Sequence, residues 1–113
     1  MEDDPTIREV VQALLECEGL VVTATADGLA AVAWSEQHQP ALVVLDLGLP
    51  FLDGVAVATL LRARYGEALP IVILSADVRA RTKTQHLRPC GLVRKPFDAD
   101  TLVAAVRRGL DGA

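Results

Sequence analysis

The chain has 113 residues and a mass of 12.0 kDa, with 51% hydrophobic and 23% charged positions. This length suits one compact domain, and the hydrophobic content excludes an intrinsically disordered chain. No apolar run approaches the roughly 18–20 residues of a membrane span, and no signal peptide opens the sequence, so we expect a cytoplasmic protein without membrane contacts. The two cysteines, Cys17 and Cys90, are too few for a disulfide framework or a metal cluster, and we expect both to be reduced.

The net charge of −4 conceals an asymmetry between the two halves of the chain. Residues 1–61 contain ten acidic side chains and one basic one, whereas residues 62–113 contain ten basic and five acidic ones. This pattern fits either an ordinary solvated surface or a cation site early in the chain with a partner surface later. A nucleic-acid-binding domain is usually basic and rich in aromatic residues, so we expect no direct contact with nucleic acid.

Hydrophobic spacing predicts five helices and four strands in alternation. The predicted helices run from near Pro5 to Gly19, over 29–38, 53–65 and 78–87, and onward from an Asp98 cap; the predicted strands cover 20–25, 41–45, 70–74 and 92–94. The second and third of these strands are continuous apolar runs, which is typical of strands buried on both faces of a parallel sheet. The sequence therefore predicts an α/β fold with right-handed crossovers.

Chemically reactive side chains follow three of the predicted strands directly. Asp46, Ser75 and Lys95 each come after a buried run, and the carboxyl ends of parallel strands share one edge of the sheet. Each residue alone has an ordinary explanation as a strand-end or surface group. Together, a carboxylate nucleophile, a hydroxyl and an ammonium favour phosphoryl transfer to Asp46, which would form an aspartyl phosphate.

Further acids, Glu2, Asp3 and Asp4, come just before the first predicted helix. Asp4 is more simply explained as a helix cap than as a ligand. Clustered carboxylates repel one another unless a cation lies between them, and a site of few oxygen ligands suits Mg²⁺. We therefore expect a Mg²⁺ site at the same edge of the sheet.

Four motifs in order resemble the receiver domain of bacterial two-component response regulators, over essentially the whole chain. They are residues 2–5 (Glu-Asp-Asp-Pro), 44–50 (Val-Leu-Asp-Leu-Gly-Leu-Pro) followed by Asp53-Gly54, 73–76 (Ile-Leu-Ser-Ala) and 95–97 (Lys-Pro-Phe). The resemblance implies a flavodoxin-like, doubly wound parallel sheet with helices on both faces. It also implies a cis peptide bond between Lys95 and Pro96.

The resemblance assigns a role to each site residue. Asp46 is implied as the phosphoacceptor, with Ser75 as the hydroxyl that turns toward the phosphoryl group and Lys95 as the lysine that pairs with it. Mg²⁺ is implied to bind Glu2, Asp3, Asp46 and the backbone carbonyl of Gly48.

Two of the departures from the family pattern bear on the expected fold and function. Leu92 stands where the family usually has a rotating Tyr or Phe, so we expect a smaller change at the surface that binds partners. The family's first strand should precede Glu2, where this sequence has Met1 alone, so residues 1–113 are expected to be an N-terminally truncated receiver domain with four strands. The absence of this first strand would leave a slot between the strands at 20–25 and 41–45, and open strand edges recruit other strands.

The implied function is phosphorelay signalling: Asp46 accepts a phosphoryl group from a sensor histidine kinase or phosphotransfer protein, and a surface that binds a downstream output protein or domain then changes. Such a domain is a switch with at most slow self-dephosphorylation, not an enzyme, and a homodimer is compatible with this function. Three alternatives stay open: a degenerate receiver used only for protein contacts, a haloacid dehalogenase-type phosphatase and a flavodoxin-like cofactor binder. The phosphatase family has a second Asp where Gly48 stands, and no phosphate-binding loop supports the cofactor binder.

Overall fold

The computed structural model describes residues 5–25, 28–46, 51–66, 68–76 and 79–111. The predicted metal ligands Glu2, Asp3 and Gly48 lie outside these residues. The helices are α1 (Pro5–Cys17), α2 (Gly28–Ser35), α3 (Phe51–Tyr65), α4 (Ala80–Lys83) and α5 (Ala99–Asp111), and the strands are β1 (Val43–Asp46), β2 (Ile71–Ser75) and β3 (Gly91–Arg94). A 3₁₀ turn at Gln85–Leu87 joins α4 to β3.

The three strands form one parallel sheet in the order β1-β2-β3. Every residue of the central strand β2 is buried. Its side chains alternate between two cores, because successive side chains of a strand point to opposite faces. Ile71 and Ile73 pack in the cluster that contains Leu61 of α3, whereas Val72 and Leu74 pack in a second cluster with residues of α1 and α5. This arrangement confirms the predicted parallel α/β fold with helices on both faces.

The predicted strand at residues 20–25 is wrong for the part of the chain that the structure describes, which has three strands instead of the expected four. The side chains of residues 20–23 do alternate, with Leu20 and Val22 half-buried and Val21 and Thr23 exposed, although Ala24 is exposed as well. In the described residues, however, the backbone of residues 21–25 makes no hydrogen bond. Alternation determines which side chains are buried, but a β-strand also requires a neighbouring strand to pair with its N–H and C=O groups.

The predicted helix at 78–87 is also shorter than expected, since α4 makes one turn before the 3₁₀ segment. The Thr84 hydroxyl donates a hydrogen bond of 2.7 Å to the Ala80 carbonyl, an interaction that competes with regular helix geometry. Pro89 disfavours a right-handed helical backbone at the preceding residue, and Arg88 has a φ of 50°. These local effects limit the regular helix in this segment to one turn.

Helix ends elsewhere follow the sequence signals. Gly19 has a φ of 84° and ends α1, with the Leu20 N–H donating to the Leu15 carbonyl at 3.3 Å in a Schellman-type cap. At the other end of the chain, Asp98 caps α5 by accepting a hydrogen bond of 2.7 Å from the Thr101 N–H. Both residues were predicted as helix boundaries, and both predictions are confirmed.

Candidate functional site

Asp46, Ser75 and Lys95 lie side by side at the carboxyl edge of the sheet. Asp46 is the last residue of β1, Ser75 is the last residue of β2, and Lys95 directly follows β3. The strand register places Asp46 opposite Leu74, and the Lys95 N–H donates a hydrogen bond of 3.0 Å to the Ser75 carbonyl. The three predicted strand-end residues are therefore brought to adjacent positions by parallel pairing.

The Lys95 side chain reaches across this edge and forms an ion pair with Asp46. Its Nζ donates a hydrogen bond to Oδ2 of the carboxylate. The side chain of Asp46 is 1% exposed and that of Lys95 is 18% exposed. Because little water reaches the pair, the attraction between its charges is screened less than at an open surface.

The second carboxylate oxygen of Asp46, Oδ1, is buried and has no hydrogen-bond partner in the described part of the chain. A buried acceptor without a partner is unfavourable for folding and is rare in native proteins. A divalent cation or a phosphoryl group would supply the positive charge or the covalent bond that this atom lacks. The lack of a partner for Oδ1 in the described chain is therefore what we expect if a cation or a phosphoryl group binds at Asp46.

The chemistry of this atom fits Mg²⁺, which accepts few protein ligands and prefers oxygen. Asp46 is the one predicted metal ligand in the described ranges, and no cluster of three or more His, Cys, Asp or Glu side chains occurs there. The predicted ligands Glu2, Asp3 and Gly48 lie outside the described residues, so these assignments stay predictions.

Ser75 occupies the buried end of β2, where 2% of the residue is exposed. Its position next to Asp46 on one side and Lys95 on the other follows from the order of the strands. The Lys95-Pro96 peptide bond, which directly follows the site lysine, is cis as the resemblance implies.

Residues 1–107 match the family described as the response regulator receiver domain. The chain belongs to this family. The match covers nearly the whole chain, and it agrees with the ion pair and the parallel sheet described above.

Relatives of this receiver domain include the transcriptional regulatory protein CseB of Streptomyces coelicolor, which is 38% identical over 109 residues. A second is response regulator Rre1 of Synechocystis sp., which is 38% identical over 112 residues. These alignments cover 95% of this chain but only 46% and 48% of the two relatives. The chain thus spans about half the length of the curated relatives that it matches.

Solved structures show the same fold. The receiver domain of NtrX from Brucella abortus superposes with a TM-score of 0.89 and 28% identity, covering 99% of this chain and 96% of that one. The response regulator TrrA from Thermotoga maritima, solved in complex with Mg²⁺ and BeF, superposes with a TM-score of 0.85 and 28% identity, covering 96% and 94%.

Arg62 is a residue of this receiver domain that sequence reasoning missed. From α3 its guanidinium donates hydrogen bonds to the carbonyls of Leu87 (2.8 Å), Arg88 (3.0 Å) and Gly66 (3.3 Å), and it also bonds the Leu69 carbonyl. These hydrogen bonds connect the C-terminal end of α3 to the segment that leads into β3. Two of these partners lie 25 and 26 positions away, so no local sequence signal could reveal the contacts.

Other residues considered in the sequence have ordinary packing roles. Leu92 is half-buried against the core cluster that contains Leu45 and Ile73. His38 stacks on Trp34 with ring centroids 4.7 Å apart. Cys17 and Cys90 are free thiols, as expected, and burial raises the pKa of the Cys90 thiol. None of the helices in the described ranges has the length and apolar character needed to cross a membrane.

Proposed function

We propose that this receiver domain accepts a phosphoryl group on Asp46 from a sensor histidine kinase or a phosphotransfer protein. Phosphorylation then alters a surface that binds a downstream output protein or domain. The observation that supports the proposal most directly is the state of the Asp46 carboxylate, in which Oδ2 is paired with Lys95 and Oδ1 is buried without a partner in the described chain.

The transfer forms one bond and breaks another. A carboxylate oxygen of Asp46 attacks the phosphorus atom of a phosphohistidine, the P–N bond breaks, and the departing imidazole nitrogen keeps the bonding electron pair and takes up a proton. The product is a mixed anhydride, which is a high-energy acyl phosphate. Such a transfer depends chiefly on positioning and on balancing negative charge, because the protein itself has little covalent chemistry to perform.

Lys95 supplies one positive charge at the reacting centre. Its ammonium balances the Asp46 carboxylate before transfer and lies close enough to pair with a phosphoryl oxygen afterwards. Ser75, at the end of the neighbouring strand, offers a hydroxyl that would donate to another phosphoryl oxygen. These two residues act by binding and orienting the group on Asp46.

Mg²⁺, held by Glu2, Asp3, Asp46 and the Gly48 carbonyl, would neutralise phosphoryl oxygens during transfer. The complex of TrrA with Mg²⁺ and BeF supports the same chemistry in a related receiver. We further propose that residues 1–113 all belong to one receiver domain, that it acts in the cytoplasm, and that its own catalysis is limited to slow self-dephosphorylation. Gly48 lies where a phosphatase of the haloacid dehalogenase type has its second Asp, so hydrolysis of phosphate monoesters is not expected.

The test is phosphorylation by acetyl phosphate with Mg²⁺, measured by intact-protein mass spectrometry. The unmodified chain should gain one phosphoryl group that acid and hydroxylamine remove, as they remove an acyl phosphate. Asp46→Asn should gain none, because an amide cannot act as the nucleophile. Asp100→Asn, which changes an exposed carboxylate on α5, should incorporate phosphate normally. Phosphate on the Asp46→Asn protein would refute the assignment, and rapid turnover of p-nitrophenyl phosphate would indicate a phosphatase instead.

A further inference from the structure

Three arginines surround Cys90, the residue directly before β3. Arg81 of α4 and Cys90 line the same cavity of about 300 Å³. On the other side α5 comes so close that a Cβ placed on Gly109 would lie 2.8 Å from the Cys90 Sγ. Arg108 is the neighbour of Gly109 in α5, and Arg88 lies two positions before Cys90. We refer to Arg81, Arg88 and Arg108 as the arginine cluster.

The positive charges of this cluster are not balanced by nearby acids. All three arginines are exposed, and their side chains make no hydrogen bond or ion pair with any residue that the structure describes. Residues 78–97 contain six Lys and Arg side chains and no Asp or Glu. Burial raises the pKa of the Cys90 thiol, and the positive charges of Arg62 and Arg108 oppose this rise. The surface around Cys90 is therefore positive, although the whole chain has a net charge of −4.

The backbone beneath the cluster is held in place by hydrogen bonds. The Arg62 guanidinium donates to the carbonyls of Leu87 at 2.8 Å and Arg88 at 3.0 Å. The Cys90 N–H donates to the Ile71 carbonyl at 2.9 Å. Because this segment is already ordered, a ligand that binds there loses less free energy to ordering the chain.

The cavity beside Arg81 has polar and apolar walls. Gln85 contributes an amide, whereas Pro89 and Leu92 contribute apolar surface. No aromatic side chain is among the described residues that line it, so a nucleic-acid base has no ring on which to stack there. The walls and the arginines together fit a peptide in which carboxylates lie next to an aliphatic side chain.

The charge of the cluster also disfavours a symmetric contact between two copies of this chain. A two-fold interface places the same patch of each copy against the other. The arginines of one copy would then face the same arginines of the second copy, and like charges across an interface repel. A complementary partner has to be acidic.

We propose that the arginine cluster and its cavity bind an acidic segment of another protein. Arg81, Arg88 and Arg108 pair with its carboxylates, and the apolar wall of the cavity contacts one of its aliphatic side chains. The cluster lies at the amino end of β3, whereas Lys95 follows the carboxyl end of the same strand. The inference therefore does not depend on phosphorylation of Asp46, and the unphosphorylated chain tests it.

The test uses a fluorescein-labelled peptide, Gly-Asp-Glu-Leu-Asp-Glu-Leu-Gly, and fluorescence polarisation. The control peptide, Gly-Asn-Gln-Leu-Asn-Gln-Leu-Gly, has the same size and the same leucines but no side-chain charge. The acidic peptide should bind at low salt, and the neutral peptide should not. Raising NaCl from about 20 mM to about 300 mM should weaken binding by about tenfold, because salt screens exposed charges.

Substitutions in the cluster locate the site. Arg81→Gln and Arg108→Gln should each weaken binding by about threefold, and the double variant by about tenfold, since each substitution removes one exposed ion pair. Arg81→Lys keeps the charge and should retain most of the affinity. Arg64→Gln is the matched control, because it removes a positive charge from the side of α3 that contacts Ser35 of α2, and it should leave the affinity unchanged.

Nuclear magnetic resonance provides a second measurement that needs no substitution. The acidic peptide should shift the amide signals of Gln85, Cys90 and Gly91 in the unaltered chain. Equal binding of the two peptides, unchanged affinity of the double variant, or shifts centred on Asp46 and Ser75 would each overturn the proposal. Tighter binding of a single-stranded oligonucleotide through the same arginines would overturn it in favour of nucleic acid. Self-association in light scattering that the double variant abolishes would overturn it in favour of a second copy.

Discussion

Lys95 and Asp46 are 49 positions apart in the sequence and form a partly dehydrated ion pair through Oδ2 of the carboxylate. The pair leaves Oδ1 of Asp46 buried and without a partner in the described chain. One oxygen is thus held by the protein while the other is left for a ligand. The different environments of the two oxygens fit the phosphoryl transfer to Asp46 that we propose.

Removing the charge of Lys95 tests this relationship. Lys95→Met keeps the aliphatic stem but leaves both oxygens of Asp46 without the ammonium, so we expect phosphorylation by acetyl phosphate to slow by about tenfold or more. The free energy of unfolding should fall by about 1–3 kcal/mol, because a buried acceptor loses its partner. Lys95→Arg retains the charge, so its phosphorylation rate and its free energy of unfolding should decrease less than those of Lys95→Met. A Lys95→Met protein that is phosphorylated at the normal rate would contradict the role of this residue.

We predict that Leu92 limits how far phosphorylation is transmitted to the surface. It lies half-buried in β3, where the family pattern has an aromatic side chain, so we expect limited rearrangement around α4, β3 and α5. Beryllium fluoride with Mg²⁺ should shift amide NMR signals in this region, and the shifts should be larger in Leu92→Tyr. Shifts confined to α1 and residues 20–25 would show that the surface around β3 is not where the signal is transmitted.

Arg62 is expected to contribute to stability far more than its neighbour Arg64. Among the residues that the structure describes, Arg62 donates to four backbone carbonyls, whereas Arg64 donates one hydrogen bond of 2.6 Å, to the Ser35 hydroxyl. Arg62→Met should lower the free energy of unfolding by about 2–3 kcal/mol, and Arg64→Met by about 1 kcal/mol. Both residues lie in the last turn of α3. Each substitution therefore removes one positive charge from the same end of the helix, and the effect on the helix dipole is similar in the two variants. Equal losses in urea denaturation would show that the carbonyl contacts of Arg62 contribute little.

Asp98 should make stability depend on pH. The hydrogen bond from the Thr101 N–H holds the pKa of this carboxyl below its ordinary value of 3.8. A lowered pKa means that the stabilisation is fully present above pH 3.8 and is lost as the pH falls through the pKa of the folded state. Asp98→Ala should therefore lower the melting temperature at pH 7, and the difference from the unaltered chain should shrink below pH 3.8. A difference that stays constant down to pH 2 would argue against a charged cap, and Asp100→Ala serves as the control.

Much of the fold was predictable because its signals are local. Continuous apolar runs before Asp46 and Ser75 indicated buried parallel strands, and Gly19 and Asp98 marked helix boundaries. Parallel strands share a carboxyl edge, so the grouping of Asp46, Ser75 and Lys95 followed from the order of the elements alone. The roles of Glu2, Asp3 and Gly48 came from the family resemblance and stay predictions.

The sequence by itself determined which side chains are apolar, where the elements break and which residues stand at strand ends, since these depend on neighbours along the chain. Only the tertiary structure decided which backbone groups are paired. Residues 20–23 have the alternating burial of a strand but are not paired with a neighbouring strand in the described chain. Arg62 bonds to carbonyls outside its own helix, and within the described residues one oxygen of Asp46 is paired while the other is not. Hydrogen bonding between distant segments depends on how the layers pack, and residue order alone does not specify it.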